Sequence, residues 1–396
     1  MISGSMTPLA ITDYTLTTCL GAGRAANWDK IERGETGLKP CDFFDISDLS
    51  TWIGEVAGVD QQALPASLAA YNCRNNRLAW LALQQDGFLD NAVRAIESYG
   101  ADRVGVFIGT STSGIHQTEL AYLAARNQLP DWYHYRSTHN VFSVADFVQQ
   151  ALGARGPCIA ISTACSSSAK VFASAYRAMA TGLCDAAIVG GVDSLCLTTL
   201  YGFHSLQLVS PDKCKPFDRE RSGISIGEAG GFALLEKTED ARLMLLGYGE
   251  SGDAYHMSSP HPEGEGALQA MQTALAKAGL ASDSIDYINL HGTGTMANDA
   301  AESKAVAQLF GERTWASSTK GWTGHTLGAA GIVEAAFGLL SITHNLVPAS
   351  LHLQQPDPDM HIALPRAAVQ QPVRKVLSNS FGFGGSNCSL VLGERV

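Results

Sequence analysis

Ile159-Ala-Ile-Ser-Thr-Ala-Cys-Ser-Ser-Ser-Ala-Lys170 joins an apolar run to a lone cysteine and then to a helix of small residues. Ile159–Ile161 reads as a buried strand. Ala169–Ala180 carries a helical pattern in which Val171, Phe172, Ala175 and Met179 share one face. Cys165 therefore stands where a strand hands over to a helix, beside that helix's first free N–H groups. Their partial positive charge favours a thiolate over a thiol. Ala164, Ser166, Ser167 and Ser168 are small enough to let a substrate reach the sulfur. The competing reading is a buried structural cysteine, the common state of this residue type. Partners elsewhere in the chain decide between the two.

The chain has 396 residues, 45% hydrophobic and 16% charged, with 40 glycines, which describes a large core with many tight turns. No run approaches the length of a membrane-spanning segment, so no membrane span is expected. Met1-Ile-Ser-Gly-Ser-Met-Thr-Pro8 lacks a basic region followed by an apolar one, so no secretory signal is read there. Nine scattered cysteines without a Cys-x-x-Cys pair support neither a disulfide framework nor a zinc site, and a reducing cytoplasm fits them best. A net charge of -11 argues against nucleic acid as a partner.

Along the chain, short apolar strands alternate with helices, which predicts a mainly parallel sheet covered on both faces. Strands are expected at residues 8–20, 103–109, 185–193 and 227–235. Thr110-Ser-Thr-Ser-Gly114 does not meet the Gly-x-Ser-x-Gly nucleophile elbow, because Ser113 stands where the second glycine belongs. From about residue 237 a second, similar series begins, with strands at 243–248, 285–290 and 389–392 and helices at 264–278, 299–310 and 328–343. No linker separates the two series, which reads as two intimately packed halves.

The second series supplies partners for the cysteine. Ile285-Asp-Tyr-Ile-Asn-Leu-His-Gly-Thr-Gly-Thr295 is an apolar strand that ends in a histidine, at the carboxyl edge where open α/β sheets build their sites. Ser318-Thr-Lys-Gly-Trp-Thr-Gly-His-Thr-Leu-Gly-Ala-Ala-Gly331 sets Lys320 and His325 just before a Gly/Ala-rich helix. Asn379-Ser-Phe-Gly-Phe-Gly-Gly-Ser-Asn387 is a glycine loop with two aromatic residues. Each motif alone has an ordinary structural explanation; their combination and order do not.

Together these motifs resemble the β-ketoacyl-acyl-carrier-protein synthases of types I and II, over residues 8 to 393. The resemblance implies a thiolase-like α/β fold: two pseudo-symmetric halves, 1–236 and 237–396, in a layered α-β-α-β-α arrangement with mainly parallel sheets. The first half would carry Cys165; the second would carry His291, Lys320, His325 and the Gly-Phe-Gly-Gly loop. The implied reaction is a decarboxylative Claisen condensation, in which Cys165 takes an acyl group and a malonyl unit then extends it by two carbons. Such reactions serve fatty acid or aryl polyene and polyketide synthesis.

The same resemblance assigns roles. Backbone N–H groups of Cys165 and Phe383 would form the oxyanion hole. His291 and His325 would stabilise the enolate, and Lys320 would support their geometry. Phe383 would act as a gate with Phe381 beside it, and Thr293 and Thr295 would bind the pantetheine arm. Asn289, Glu334, Ser378 and Asn379 match positions that order a water or monovalent cation. No structural metal and no resident cofactor is implied, because phosphopantetheine arrives on the acyl carrier protein. The implied partners are that carrier and a second subunit, identical or a homologous chain-length-factor-like chain. Arg74, Arg77, Lys213, Lys215, Arg219 and Arg221 are candidate basic contacts for an acidic carrier.

Related classes separate by residue type. A degradative thiolase would need a C-terminal Cys-x-Gly where this chain has Cys388-Ser-Leu. An initiating synthase would carry asparagine in place of His325. Two further readings stay open on the residues alone: a structural or chain-length partner of a homologous ketosynthase, and a cysteine acyl-thioester hydrolase. Trp322 and the loop Lys213–Arg221 look more like pathway-specific synthases than housekeeping ones.

Overall fold

Strand order records an internal repeat. The computed structural model describes residues 4–46, 48–125 and 128–395; residues 1–3 of the N-terminal stretch read above lie outside it. The first half contributes β1 (Leu9–Thr18), β2 (Val104–Gly109), β3 (Cys158–Ile161), β4 (Ala186–Asp193) and β5 (Ala229–Glu236). The second contributes β6 (Leu243–Gly252), β7 (Tyr287–Asn289), β8 (Trp315–Ser317), β9 (Lys375–Gly382) and β10 (Ser386–Glu394). Their spatial orders are β3-β2-β4-β5-β1 and β8-β7-β9-β10-β6. Each half thus follows the sequence third, second, fourth, fifth, first. The halves join through two residue pairs, Leu9 with Leu245 and Ala10 with Met244.

The pairing is mixed, which corrects the expectation of mainly parallel sheets. In each half the second, third and fourth strands run parallel, while the fourth, fifth and first run antiparallel. For β9 and β10 the reason is connection length. Only Phe383–Gly385 separates β9 from β10, and so short a turn returns the chain antiparallel.

Seven of the described helices cover the sheet: α1 (Arg74–Leu83), α2 (Phe88–Tyr99), α3 (Ser143–Leu152), α4 (Ser167–Ala180), α5 (Glu265–Ala278), α6 (Met296–Phe310) and α7 (Ala330–His344). α1 to α3 cover the outer face of the first half, and α5 and α6 that of the second. α4 and α7 lie between the halves and share one apolar core. Their small residues follow from that position, since the two helices pack closely against each other between the halves. At the contact, a side chain on Gly331 would come within 2.3 Å of the Ala169 backbone nitrogen.

Three further expectations change. Cys158–Ile161 is an edge strand and not a buried one, with Ile159 41% exposed. β8 and β9 went unread, β8 for its three residues and β9 because its serines and asparagine hide an inward-facing alternation. Leu327–His344 has the length and hydropathy of a membrane span, contrary to the reading above, but is 89% buried inside the protein. It is a core helix.

Candidate active site

The turn that carries Cys165 is strained in a defined way. β3 ends at Ile161, Ala164 takes a left-handed φ of 51°, and α4 begins at Ser167 behind the N-cap Ser166. A left-handed alanine costs on the order of 1–2 kcal/mol, and the turn aims Cys165 at the second half. Ser167 Oγ accepts from the Thr163 N–H at 2.9 Å, which holds the turn closed.

The second half meets it with two imidazoles. His325 Nε2 lies 3.0 Å from Cys165 Sγ. The Leu327 N–H donates to His325 Nδ1 at 3.1 Å, so the ring proton resides on Nε2 and points at the sulfur. Leu327 itself is left-handed, with φ 55°, and that conformation turns its N–H back onto the ring. Lys320 Nζ lies 3.3 Å from His291 Nδ1 and also donates to the His291 carbonyl and to Glu334. His291 therefore also presents Nε2–H. The sulfur and one ring nitrogen of each histidine fall within 4.8 Å of one another. Both histidines are held well below the usual imidazole range, first by burial and then by the Lys320 charge, so both are neutral donors.

Burial likewise pushes the Cys165 thiol up to about 12, with Lys320 and the Phe383 N–H pulling it back and Glu334 opposing them. Desolvation of the buried sulfur thus opposes the thiolate expected from the helix N-terminus. The trio could also fit a small soft metal by donor type, but the neighbouring Lys320 ammonium makes it a poor cation site.

The glycine loop closes the sulfur from the other side. A side chain on Gly382 would lie 2.8 Å from the Thr163 carbonyl and 3.0 Å from that of Ser386. Only glycine lets this loop pass so near the Cys165 turn, and the approach gives the Phe383 N–H its hydrogen bond to the sulfur. Phe381 packs edge-on against His291 with centroids 6.0 Å apart. Phe383 meets Phe203 at 5.5 Å. These residues, with Thr293, Thr295 and Asn298, line a cleft that reaches Cys165. Thr295 has a second task, since its hydroxyl caps α6 by accepting from the Asn298 N–H.

Two buried carboxylates missed in the sequence hold the His291 loop. Glu302 accepts from the His291 and Gly292 N–H groups at 2.8 and 2.7 Å. Asp299 accepts from Thr293 and Gly294 at 3.0 and 3.2 Å. Their i, i+3 spacing in the first turns of α6 was the available signal. A third, Asp193 at the end of β4, accepts from the Ser111 and Thr112 N–H groups and, at 2.6 Å, from Gly328. It ties the two halves together beside His325.

The four residues expected to order a water or cation divide between two faces. Asn289, Ser378 and Glu334 face the central layer; Asn289 and Ser378 are register partners. Asn289 is fully buried, and neither its Nδ2 nor its Oδ1 has a hydrogen-bond partner. A water, which both accepts and donates, fits that amide better than a cation does. Asn379 points to the opposite face and donates to Glu302 at 3.2 Å, so its side chain leaves this group.

Two basic candidates and Trp322 are also reassigned. Arg74 is buried in a two-point pair with Glu228 at 2.9 and 2.5 Å, and Arg221 is buried against Asp357 at 2.7 Å; neither reaches solvent. Lys213, Lys215, Arg219 and Arg77 keep some exposure. Trp322 is a core residue whose indole N–H donates to the Ala349 carbonyl at 3.3 Å, and it does not line the cleft.

A buried cysteine at a strand-to-helix turn, faced by two histidines from the other half of a repeated strand order, is the arrangement of a thiolase-like condensing enzyme. The chain belongs to the β-ketoacyl synthase family: the family models "Beta-ketoacyl synthase, N-terminal domain" and "Beta-ketoacyl synthase, C-terminal domain" match residues 6–241 and 243–354. It is 34% identical, over 98% of its length and 99% of the relative's, to the 3-oxoacyl-[acyl-carrier-protein] synthase 2 of Rhizobium meliloti (strain 1021). Among solved structures it resembles a chain of the ketosynthase (ApeO) in complex with its chain length factor (ApeC) from Xenorhabdus doucetiae, at 39% identity, 98% coverage of both chains and TM-score 0.90. It also resembles the ishigamide ketosynthase/chain length factor, at 26% identity, coverage of 98% and 99%, and TM-score 0.88. The chain is an acyltransferase-class condensing enzyme. None of these similarities favours a hydrolase or a cysteine-free structural partner.

Proposed function

We propose that the protein loads an acyl chain onto Cys165 and condenses it with malonyl-acyl carrier protein, releasing carbon dioxide and a β-ketoacyl chain longer by two carbons. The observation that carries the assignment of roles is the 3.0 Å approach of His325 Nε2 to Cys165 Sγ. In the loading step Cys165 attacks the acyl thioester, and the Phe383 N–H, with that of Cys165, holds the tetrahedral oxyanion. In the extension step the malonyl thioester oxygen becomes an enolate that accepts from His291 and His325. Lys320 acts through His291, fixing its tautomer, and the buried Glu334 in turn fixes Lys320. Thr293 and Thr295 receive the pantetheine arm along the cleft, and Phe383 and Phe381 gate its inner end. The amide of Asn289, with Ser378 and Glu334, holds an ordered water behind the histidines. No resident cofactor takes part; the phosphopantetheine enters on the carrier.

The division of labour follows the halves, with 1–236 supplying the nucleophile and 237–396 the enolate donors. The resemblance to two ketosynthases solved with chain length factors supports a pathway-specific polyene or polyketide role and a heterodimer with a homologous subunit, ahead of general fatty acid synthesis in a homodimer. Nine free cysteines support the cytoplasm as its compartment. Intact mass measurement after incubation with a panel of acyl-carrier proteins tests the reading. Wild type gains one acyl mass on Cys165 and C165A gains none; an enzyme that takes no acyl group, or hydrolyses it without malonyl, defeats the proposal.

A further inference from the structure

Phe203 is the aromatic contact on the outer side of the Phe383 ring, and the helix that carries it, Leu197–Ser205, lies at the cleft mouth. Leu200 is buried and Leu197, Tyr201 and Phe203 pack against the same apolar cluster, while Thr198, Gly202, His204 and Ser205 face solvent. Tyr201 also donates to Asp48 at 2.7 Å. So short a helix needs external anchors, and at its N-terminus the anchor is one side chain. Glu119, from the helix Ile115–Ala124, accepts from the Leu197 N–H at 3.1 Å, the Thr198 N–H at 2.7 Å and the Thr198 hydroxyl at 2.7 Å. His116 Nδ1 stands 3.2 Å from the same oxygen that takes the Leu197 N–H, and the His116 ring rests on Phe43 and Phe44. A carboxylate at a helix start meets both the free N–H groups and the dipole. Burial opposes ionisation of Glu119, but its bonds from His116, Thr198 and Leu197 hold the carboxyl below its usual range. The cap carries an unusual load here, because it comes from a different segment and no residue of the helix itself caps it.

The geometry points to Glu119 as a positioning residue for the gate: it fixes Leu197–Ser205, and through Phe203 it keeps Phe383 closed over Cys165 until an acyl chain is loaded. This rests on the ketosynthase reading above. If the gate opens early, a malonyl thioester enters an unloaded site. Its carboxylate then departs as carbon dioxide, and the enolate left behind takes a proton from water to give an acetyl thioester. Carbon dioxide is thereby released without a β-ketoacyl product.

The decisive readout is the ratio of carbon dioxide released to β-ketoacyl product formed. A merely destabilised protein lowers both together and leaves the ratio unchanged. We expect Glu119→Ala to raise the ratio about tenfold, as loss of one charge-assisted hydrogen-bond set would, and Glu119→Gln, which still accepts hydrogen bonds, to raise it less. Phe203→Ala raises it comparably, and the double variant Glu119→Ala/Phe203→Ala is no worse than Phe203→Ala alone, because both act through one contact. An unchanged ratio, or effects that multiply in the double variant, overturns the inference. So does a ratio that rises in Glu119→Ala but not in Phe203→Ala. Wild type that forms no β-ketoacyl product would instead defeat the underlying reading, so the two failures are distinguishable.

Discussion

At Cys165 two opposing physical effects meet, and their balance is measurable. The helix start favours the thiolate, while enclosure by His325, Phe383 and the Ala164 turn favours the thiol, with burial dominant and the thiol near 12. Alkylation of the free enzyme by iodoacetamide should therefore rise about tenfold per pH unit from 7 to 10 without a plateau. A plateau near neutral pH would show that the helix field wins. The pair Lys320–Glu334 is buried on both sides, at 2% exposure each. Glu334→Gln leaves Lys320 with a buried unpaired charge, so it should cost about 3–5 kcal/mol in urea unfolding, and Lys320→Met/Glu334→Leu should recover most of that loss. Cys165, His291, Lys320 and His325 were singled out in the sequence by the combination and order of their motifs, since each alone has an ordinary structural explanation, and the structure brings the four together. Arg74 and Arg221 were misread as surface charges: a string of residues does not reveal that Glu228 and Asp357 come from far along the chain to neutralise them.

Elements matter here mainly through their ends. The Gly382 backbone passes so near Thr163 and Ser386 that an added methyl has nowhere to go. Gly382→Ala should push the loop outward, draw the Phe383 N–H off the oxyanion and lower kcat about 10²–10³-fold, with acyl loading followed by intact mass as the measurement. Loading at the wild-type rate would remove the Phe383 N–H from the oxyanion hole. Glu302 plays a comparable part at the end of β7. Burial raises its carboxyl to about 7, against the N–H bonds from Gly292 and His291. A raised group contributes stability that is complete below its unfolded value and fades as pH rises through the folded one. Urea unfolding should thus show wild type losing stability relative to Glu302→Gln between about pH 4.5 and 7; a pH-independent difference would contradict the assignment. Most of the helices and long strands that flank the site were readable from their periodicity, with β9 and the helices Ser143–Leu152 and Leu197–Ser205 the exceptions. Glu302, Asp299 and Asp193 were not, because what marks them is the loop backbone they bind, and that neighbour exists only in the folded chain.

For the molecule as a whole, the shared layer of α4 and α7 makes the halves interdependent. Each half alone would expose one face of its sheet and one buried helix. Calorimetry should therefore show a single unfolding transition, and residues 1–241 expressed alone should not fold; two separated transitions would mean that the halves are autonomous. The repeat was visible as two similar series of strands, but the antiparallel fourth and fifth strands were not, since strand direction depends on connections whose path the sequence leaves open. The hydrogen bond from Leu327 to His325 also bears on the route that protons take through the proposed cycle. With Nδ1 occupied, His325 offers a proton and has no lone pair for the thiol. During loading, the Cys165 proton must leave on the departing pantetheine sulfur, so that step exchanges no proton with solvent. During extension, carbon dioxide departs and the cleaved thioester returns Cys165 as a thiolate that must be reprotonated. On the reading proposed above, each two-carbon extension therefore draws one proton from the medium; with carbon dioxide swept out so that its hydration returns none, a weakly buffered reaction should turn alkaline in step with product.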